Sequence, residues 1–377
     1  MARALGRYLR TPLASFGLVV ALIYLNQVLF TVYVIRVHHG DPSFIGRYLP
    51  PGWFSQASGN SAIRALAGAF PDPGLLAVTV LRVQAFLELP FTTFAYLAIC
   101  SWLGEDWLAR AVRLRWPASI VWTAMFCAIE WHLRNPYTID DLVIRVAAGI
   151  VVPLWVARLW VARTRPGGAP RGPDGPDGPD GLSAAGLAVF AVSTGALAYV
   201  VLTVYDSALI YNLGHLGAEL PGTVAALAVL AAARFVAPRL RGQPGLGIKT
   251  VTVAFGWFLV VFFVPALPIR YGLIEGQFRL SVVAGTIVVL AAVVLAVRDA
   301  TRSPGFSWPR WAGEMSAAVG AGALAGAAAR LVPGAHAENH ILWMTSAFLL
   351  AATATCAVVD ARACTEPGID RHTGKIV

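Results

Sequence analysis

The sequence predicts an all-α fold: a polytopic transmembrane helical bundle of about ten spans, with both termini cytoplasmic. Three observations predict it: a scarcity of charge, a series of long apolar segments, and basic residues that alternate with those segments. Hydrophobic residues make up 57% of the 377 positions and charged residues only 13%. A water-soluble domain averages about 25% charged residues, so this chain has too few to cover a water-facing surface. Its 12 Trp suit helices that end in aromatic belts at lipid headgroups.

A span needs about 20 mostly apolar residues, because the hydrocarbon core is ~30 Å thick and a helix rises ~1.5 Å per residue. Such segments run over 12–35, 74–103, 117–135, 141–163, 183–205, 217–237, 250–268, 280–297, 312–331 and 339–361. The first follows Arg3, Arg7 and Arg10 and is longer than a signal-peptide core, so it is expected as an uncleaved span. The apolar signal is weakest over 117–135, which carries Glu130 and His132, and over 312–331, which is rich in small residues.

Charge orients these segments. With the N-terminus inside, 20 of the 29 Lys and Arg residues fall on inside segments and seven on outside ones. The remaining two, Arg82 and Arg145, lie within spans. Every inside segment is basic, as cytoplasmic loops are, and an odd number of spans would invert part of the pattern. The +9 net charge is thereby assigned to membrane orientation and not to nucleic acid. Nearly all basic residues are Arg, and with abundant Ala and Gly this points to a GC-rich bacterial genome.

Residues 166–182 contain PGGAPRGPDGPDGPDG. Pro and Gly at this density hold neither a helix nor a core, so the segment reads as a cytoplasmic linker. It divides a four-span bundle, 1–165, from a six-span bundle with a short tail, 183–377. The long outer loop, about 36–73, contains His38-His39-Gly40-Asp41 and an apolar stretch, Phe44 to Phe70, suited to the membrane surface.

Several chemistries find no motif. There is no GxxxxGK[ST], no HExxH and no GxSxG. No CxxC joins Cys100, Cys127, Cys356 and Cys364, so no disulfide framework or zinc site is indicated. His336 and His340 are one helical turn apart but lack a third ligand, and no metal is assigned. Gly320, Gly322 and Gly326 lie in an apolar segment without a preceding strand; they read as close helix packing and not as a nucleotide loop.

The informative residues are ionisable groups at membrane depth, where charge is costly and marks function. Glu88 lies near the middle of the second segment, preceded by Arg82 and Gln84 and followed by Pro90. Glu130, His132 and Arg134 end the third segment, and Asp140, Asp141 and Arg145 start the fourth. The connection is short, so Glu130 and Asp141 are expected as neighbours at the outer end of a helical hairpin. A purely structural alternative exists: Glu130 with Arg134, and Asp141 with Arg145, are spaced i,i+4 and pair on one helix face. Asp140 also suits a helix first turn. Glu88 has only Arg82 on its own helix, six residues away and on another face.

The stretch EWHLRNPYTIDDLVIRVAAG, Glu130 to Gly149, resembles the VanZ-like family of membrane proteins. The resemblance covers about residues 74–163. Glu130, Arg134 and Ile139-Asp140-Asp141 take the places of that family's Glu, Arg and Ile-Asp-Asp, and Gln84 and Pro90 fall near its upstream Asn and Pro. Arg145 stands where the family has Asn, and Thr92 where it has Gly. The resemblance implies a membrane resistance or immunity protein. Separately, Thr138-Ile139-Asp140-Asp141 is similar to the DxDD acid motif of class II terpene cyclases, with Thr for the first Asp. That similarity implies protonation of an alkene by a carboxylic acid in a dry site.

The function expected is a multi-pass enzyme of the cell membrane that acts by acid/base chemistry on an amphiphilic lipid or isoprenoid-type substrate, a terpenoid cyclase being one form. Glu88, Glu130, Asp140 and Asp141 are the candidate acids and bases. Arg82, Gln84, His132 and Arg145 are the candidate substrate-binding residues. The alternatives are a VanZ-like resistance protein or a permease without catalysis, and, ranked last, a glycosyltransferase using Asp41 in the outer loop.

Overall fold

A computed structural model of the chain describes residues 11–39, 65, 68–69, 73–103, 105–133, 138–161, 184–204, 216–236, 245–263, 278–303, 306–332 and 337–365. The linker 166–182 and most of the loop 36–73 lie outside them. Among the described residues there are eleven principal helices and no strand: α1 (Pro12–His38), α2 (Pro73–Leu103), α3 (Glu105–Arg113), α4 (Arg115–Leu133), α5 (Thr138–Val161), α6 (Ala184–Thr203), α7 (Leu216–Val236), α8 (Leu246–Phe263), α9 (Phe278–Thr301), α10 (Trp308–Ala329) and α11 (Ala337–Thr365).

Each of the ten predicted apolar segments falls on a helix where it is described; segments 117–135, 141–163, 183–205, 217–237 and 250–268 run past the described residues at one or both ends. The short helix α3 was not expected. Among the described residues four helical stretches are long and apolar enough to cross a bilayer: Pro12–His38, Thr138–Leu159, Ala185–Thr203 and Trp343–Arg362.

Local chemistry accounts for the helices. The Ala14 N–H donates to the Thr11 side chain at 3.2 Å, capping α1, and Pro12 occupies the first turn, where no N–H is required. α1 ends where His39 turns left-handed, at φ 52°. Several hydroxyls inside the apolar helices donate to the carbonyl one turn back. Thr31 donates to Gln27, Thr92 to Glu88, Thr252 to Ile248 and Thr353 to Leu349, at 2.8–3.0 Å. These four hydroxyls need no water, which suits a helix in lipid.

α5 shows how such a helix is oriented. Ile139, Val143, Val146, Ile150 and Leu154 form an exposed apolar stripe. The opposite face, Asp141, Arg145, Ala148, Val152 and Val156, is buried and carries the charges. A helix on a water-soluble domain points its polar face outward; apolar outward and charged inward is the arrangement of a bilayer.

The chain forms two compact units. The first comprises Met1–Gly168, Val200–Ala225 and Gly256–Val293. Within it α1 packs along α2, α2 against α5, α4 against α5, and α3 on α2. Aromatic side chains fill these seams: Phe16 meets Phe91 at 5.6 Å between ring centres, and Phe94 meets Trp155 edge-on at 4.6 Å. α4 and α5 approach closely at Gly149, whose carbonyl accepts from Ser119 at 2.7 Å and whose missing Cβ makes room for Thr123. The Tyr24 and Thr223 hydroxyls share a buried hydrogen bond of 2.9 Å.

The second unit comprises Ala169–Tyr199, Ala226–Phe255 and Val294–Val377. Its centre is the pair α10 and α11. α10 buries Glu314, Ala318, Gly322 and Gly326, one residue per turn. Gly322 faces the Phe348 ring and carbonyl, and Gly326 the Met344 carbonyl, so the backbones approach through the glycines. At the start of α8, Gly245 and Gly247 lie directly against the carboxylates of Asp360 and Glu314.

Candidate functional site

Arg145 lies on the buried face of α5, one turn after Asp141. Its guanidinium is surrounded by acids from three helices. Glu88 of α2 accepts from Arg145 Nε at 3.2 Å and from Nη2 at 2.8 Å, both on Oε2. Glu130 of α4 is 3.3 Å from Nη2, and Asp141 of α5 is 4.0 Å from Nη1. Glu88, Glu130, Asp141 and Arg145 are each no more than 7% exposed. The Thr138 hydroxyl bonds to Glu130.

Local sequence explains the convergence. Asp141 and Arg145 share a face because they are four residues apart. The short α4–α5 connection returns Glu130, three residues before the end of α4, to the level of the first turn of α5. α2 packs against α5 and presents Glu88 on its buried face. Pro90 lies within α2, two residues past Glu88, and Pro153 within α5.

At the rim, Arg82 of α2 pairs with Asp140 of α5. These side chains are 42% and 48% exposed, so the pair is solvated and weakly stabilising. At the adjoining ends of α4 and α5, Trp131, Ile139 and Val143 present exposed apolar surface.

The structure therefore brings together four of the sequence candidates, Glu88, Glu130, Asp141 and Arg145, and adds Arg82 and Asp140 as a bridge at their edge. It corrects two pairings. Glu88 is not left with Arg82; its partner is Arg145, from a different helix, and Arg82 pairs with Asp140. Arg145 is not occupied by Asp141 alone on one helix face, since Glu88 and Glu130 stand closer to it. Gln84 and His132 lie on α2 and α4, but their side chains are outside the described residues, as is Arg134. So are Asp41 and His336, together with the side chain of His340.

Some neighbours were not anticipated. Cys127, one turn before Glu130 and half-buried, lies within electrostatic range of Arg145, Glu130 and Glu88. Thr138 was noted only as a departure from an acid motif. Asn26 and Gln27 are buried on α1 at 2% and 0% exposure, polar residues inside an apolar span. In the second unit Glu314 and Asp360 form another acidic pair, with Arg310 3.9 Å from Asp360 and Cys356 bonded to Glu314. Their signal in the sequence was an acid inside an apolar segment, the same signal that singled out Glu88.

Among the described residues no group of three or more His, Cys, Asp and Glu is arranged to hold a metal ion. In the first cluster the guanidinium takes the central cationic position. Three carboxylates and one guanidinium leave two negative charges without a counter-charge when all are ionised. Burying uncompensated charge costs several kcal/mol per ion, so protons or a cationic group are the natural complement of this site. No protein-family model, no curated protein and no solved structure matches the chain.

Proposed function

We propose that this chain is a multi-pass membrane enzyme, of about ten spans with both termini cytoplasmic, that performs acid/base chemistry on an amphiphilic lipid or isoprenoid-type substrate. The observation that carries the reading is the convergence of Glu88, Glu130 and Asp141 on Arg145. Three acids around one guanidinium divide into roles. Glu88 receives two bonds from Arg145 and is the fixed anion. Asp141 is farthest from the guanidinium and is the acid that gives a proton to the substrate and takes one back. Glu130, held by Thr138 and Arg145, completes the relay. Arg145 is then a positioning residue and not a direct substrate contact. The Arg82–Asp140 pair at the rim meets the polar headgroup, and the exposed apolar side chains at the adjoining ends of α4 and α5 meet the tail.

The test is mass spectrometry of membrane extracts from hosts expressing wild type, Glu88→Gln, Glu130→Gln or Asp141→Asn at matched levels, fed prenylated and glycolipid precursors. A product or equal-mass isomer that is present with wild type and absent with Asp141→Asn supports the reading. Identical lipid profiles across all four would overturn it.

A second reading, a permease or a VanZ-like resistance protein, is favoured by Pro90 in α2 beside Glu88, because transporters break helices near buried carboxylates. Proton-dependent uptake or drug tolerance that is lost in Glu88→Gln, with unchanged lipid chemistry, would select it.

A further inference from the structure

The turn from α9 into α10 carries an exposed aromatic and basic surface. Phe306, Trp308 and Trp311 form a compact aromatic cluster. Trp308 meets Phe306 at 4.9 Å and Trp311 at 5.7 Å between ring centres, both edge-on. Trp311 is anchored, its Nε1 donating to Thr250 at 3.1 Å. Trp308 is not: it is 56% exposed, an indole held outward by two buttressing rings.

Arginines flank it along the chain. The Arg298 and Arg310 side chains are 46% and 59% exposed, and Arg302 is exposed. The acids facing them are Asp299, Asp360 and Glu314, the last buried one turn along α10 from Arg310. Arg298 is paired with Asp299 at 3.1 Å. Arg310 approaches Asp360 only to 3.9 Å, with its side chain 59% exposed. Arg302 has no ion-pair partner among the described residues. Three arginines thus meet three acids, but the acids are mostly buried while Arg302 and Arg310 stay exposed, so the outward groups near the exposed indole are cationic.

Indole rings settle at the depth of lipid headgroups, with the ring in the interface and the N–H toward water. Arginine next to such a ring meets phosphate as a planar fork. We propose that the α9–α10 turn is a binding surface for anionic phospholipid headgroups, with Arg302 and Arg310 on the phosphate and Trp308 between the acyl ester region and water. The occupant is a phospholipid rather than a free anion because the exposed ring offers an apolar contact that a free anion does not use. The inference does not rest on the catalytic reading, since none of these residues belongs to the acid cluster.

The experiment uses the full chain in nanodiscs of phosphatidylcholine containing phosphatidylglycerol, with native mass spectrometry reading the retained phosphatidylglycerol. Each basic residue at an anionic surface contributes about five-fold in affinity. Arg302→Gln with Arg310→Gln should therefore lower retention by roughly twenty-five-fold. Trp308→Leu should lower it with the charges intact. Arg330→Gln, an exposed arginine at the other end of α10, is the control and should leave it unchanged. Circular dichroism on each variant establishes that it is folded. Unaltered retention in the folded Arg302→Gln/Arg310→Gln protein would overturn the proposal, as would an equal loss in Arg330→Gln. Displacement of the lipid by millimolar inorganic phosphate would also overturn it, by showing a site for the free anion.

Discussion

Arg145 offers one positive charge to three acids, so removing it and removing an acid are unequal changes. Without Arg145 three buried carboxylates repel one another with no counter-charge. Without Glu88 the guanidinium still faces Glu130 and Asp141. Breaking a buried ion pair by deleting one partner costs about 3–5 kcal/mol. Arg145→Gln should therefore destabilise by that order in a detergent melt, and Glu88→Gln by less. Arg145→Lys should fall between, because an ammonium cannot span several acids as a planar fork does. Arg82→Gln breaks only a solvated pair and should cost at most about 1 kcal/mol. Equal melting of Arg145→Gln and Arg82→Gln would show that the cluster is not a buried charge network. At this scale the sequence exposed the acids themselves, since charge inside an apolar segment is conspicuous. It concealed the partner of Glu88, because Arg145 is 57 residues away on another helix.

The helices owe their packing to glycines that the sequence marks only as small residues. In α10, Gly320 has open space around its missing Cβ, whereas at Gly322 a Cβ would stand 2.9 Å from the Phe348 ring and 3.0 Å from its backbone carbonyl. Gly320→Ala should be neutral or stabilising by up to ~1 kcal/mol, from helix propensity. Gly322→Ala should destabilise, because the Phe348 carbonyl cannot yield without moving α11. A thermal melt that ranks the two the other way would contradict the α10–α11 contact. At the start of α8 the crowding is with a side chain. A Cβ on Gly247 would fall on the Glu314 carboxylate, so Gly247→Ala should destabilise alone and be largely relieved when Glu314→Ala is added. Additive effects in that double-mutant cycle would separate the two residues. The same apolar runs that predicted ten helices gave no warning of α3. Its nine residues, EDWLARAVR, are too polar for a span, and their amphipathic pattern is short.

For the whole molecule the decisive question is how many helices cross the bilayer. Among the described residues four are long and apolar enough by themselves; the ten-span reading adds the alternation of arginines. It predicts that reporter fusions in the linker 166–182 and at the C-terminus report the same side of the membrane, and a fusion in the loop 36–73 the opposite side. A C-terminal reporter opposite to the linker would require an odd number of crossings after residue 182 and would end the ten-span topology. The sequence by itself determined that the chain is helical and apolar, where the ten helices lie, and which ionisable residues stand inside them. These follow from composition and from the 3.6-residue period, which relate residues along one helix. Only the tertiary structure decided that Glu88, Glu130 and Asp141 share Arg145, that Arg82 turns to Asp140, and that Glu314 and Asp360 sit on the glycines of α8. Such pairings depend on the rotation and depth of each helix against its neighbours, which side-chain packing fixes and no spacing within a single helix records.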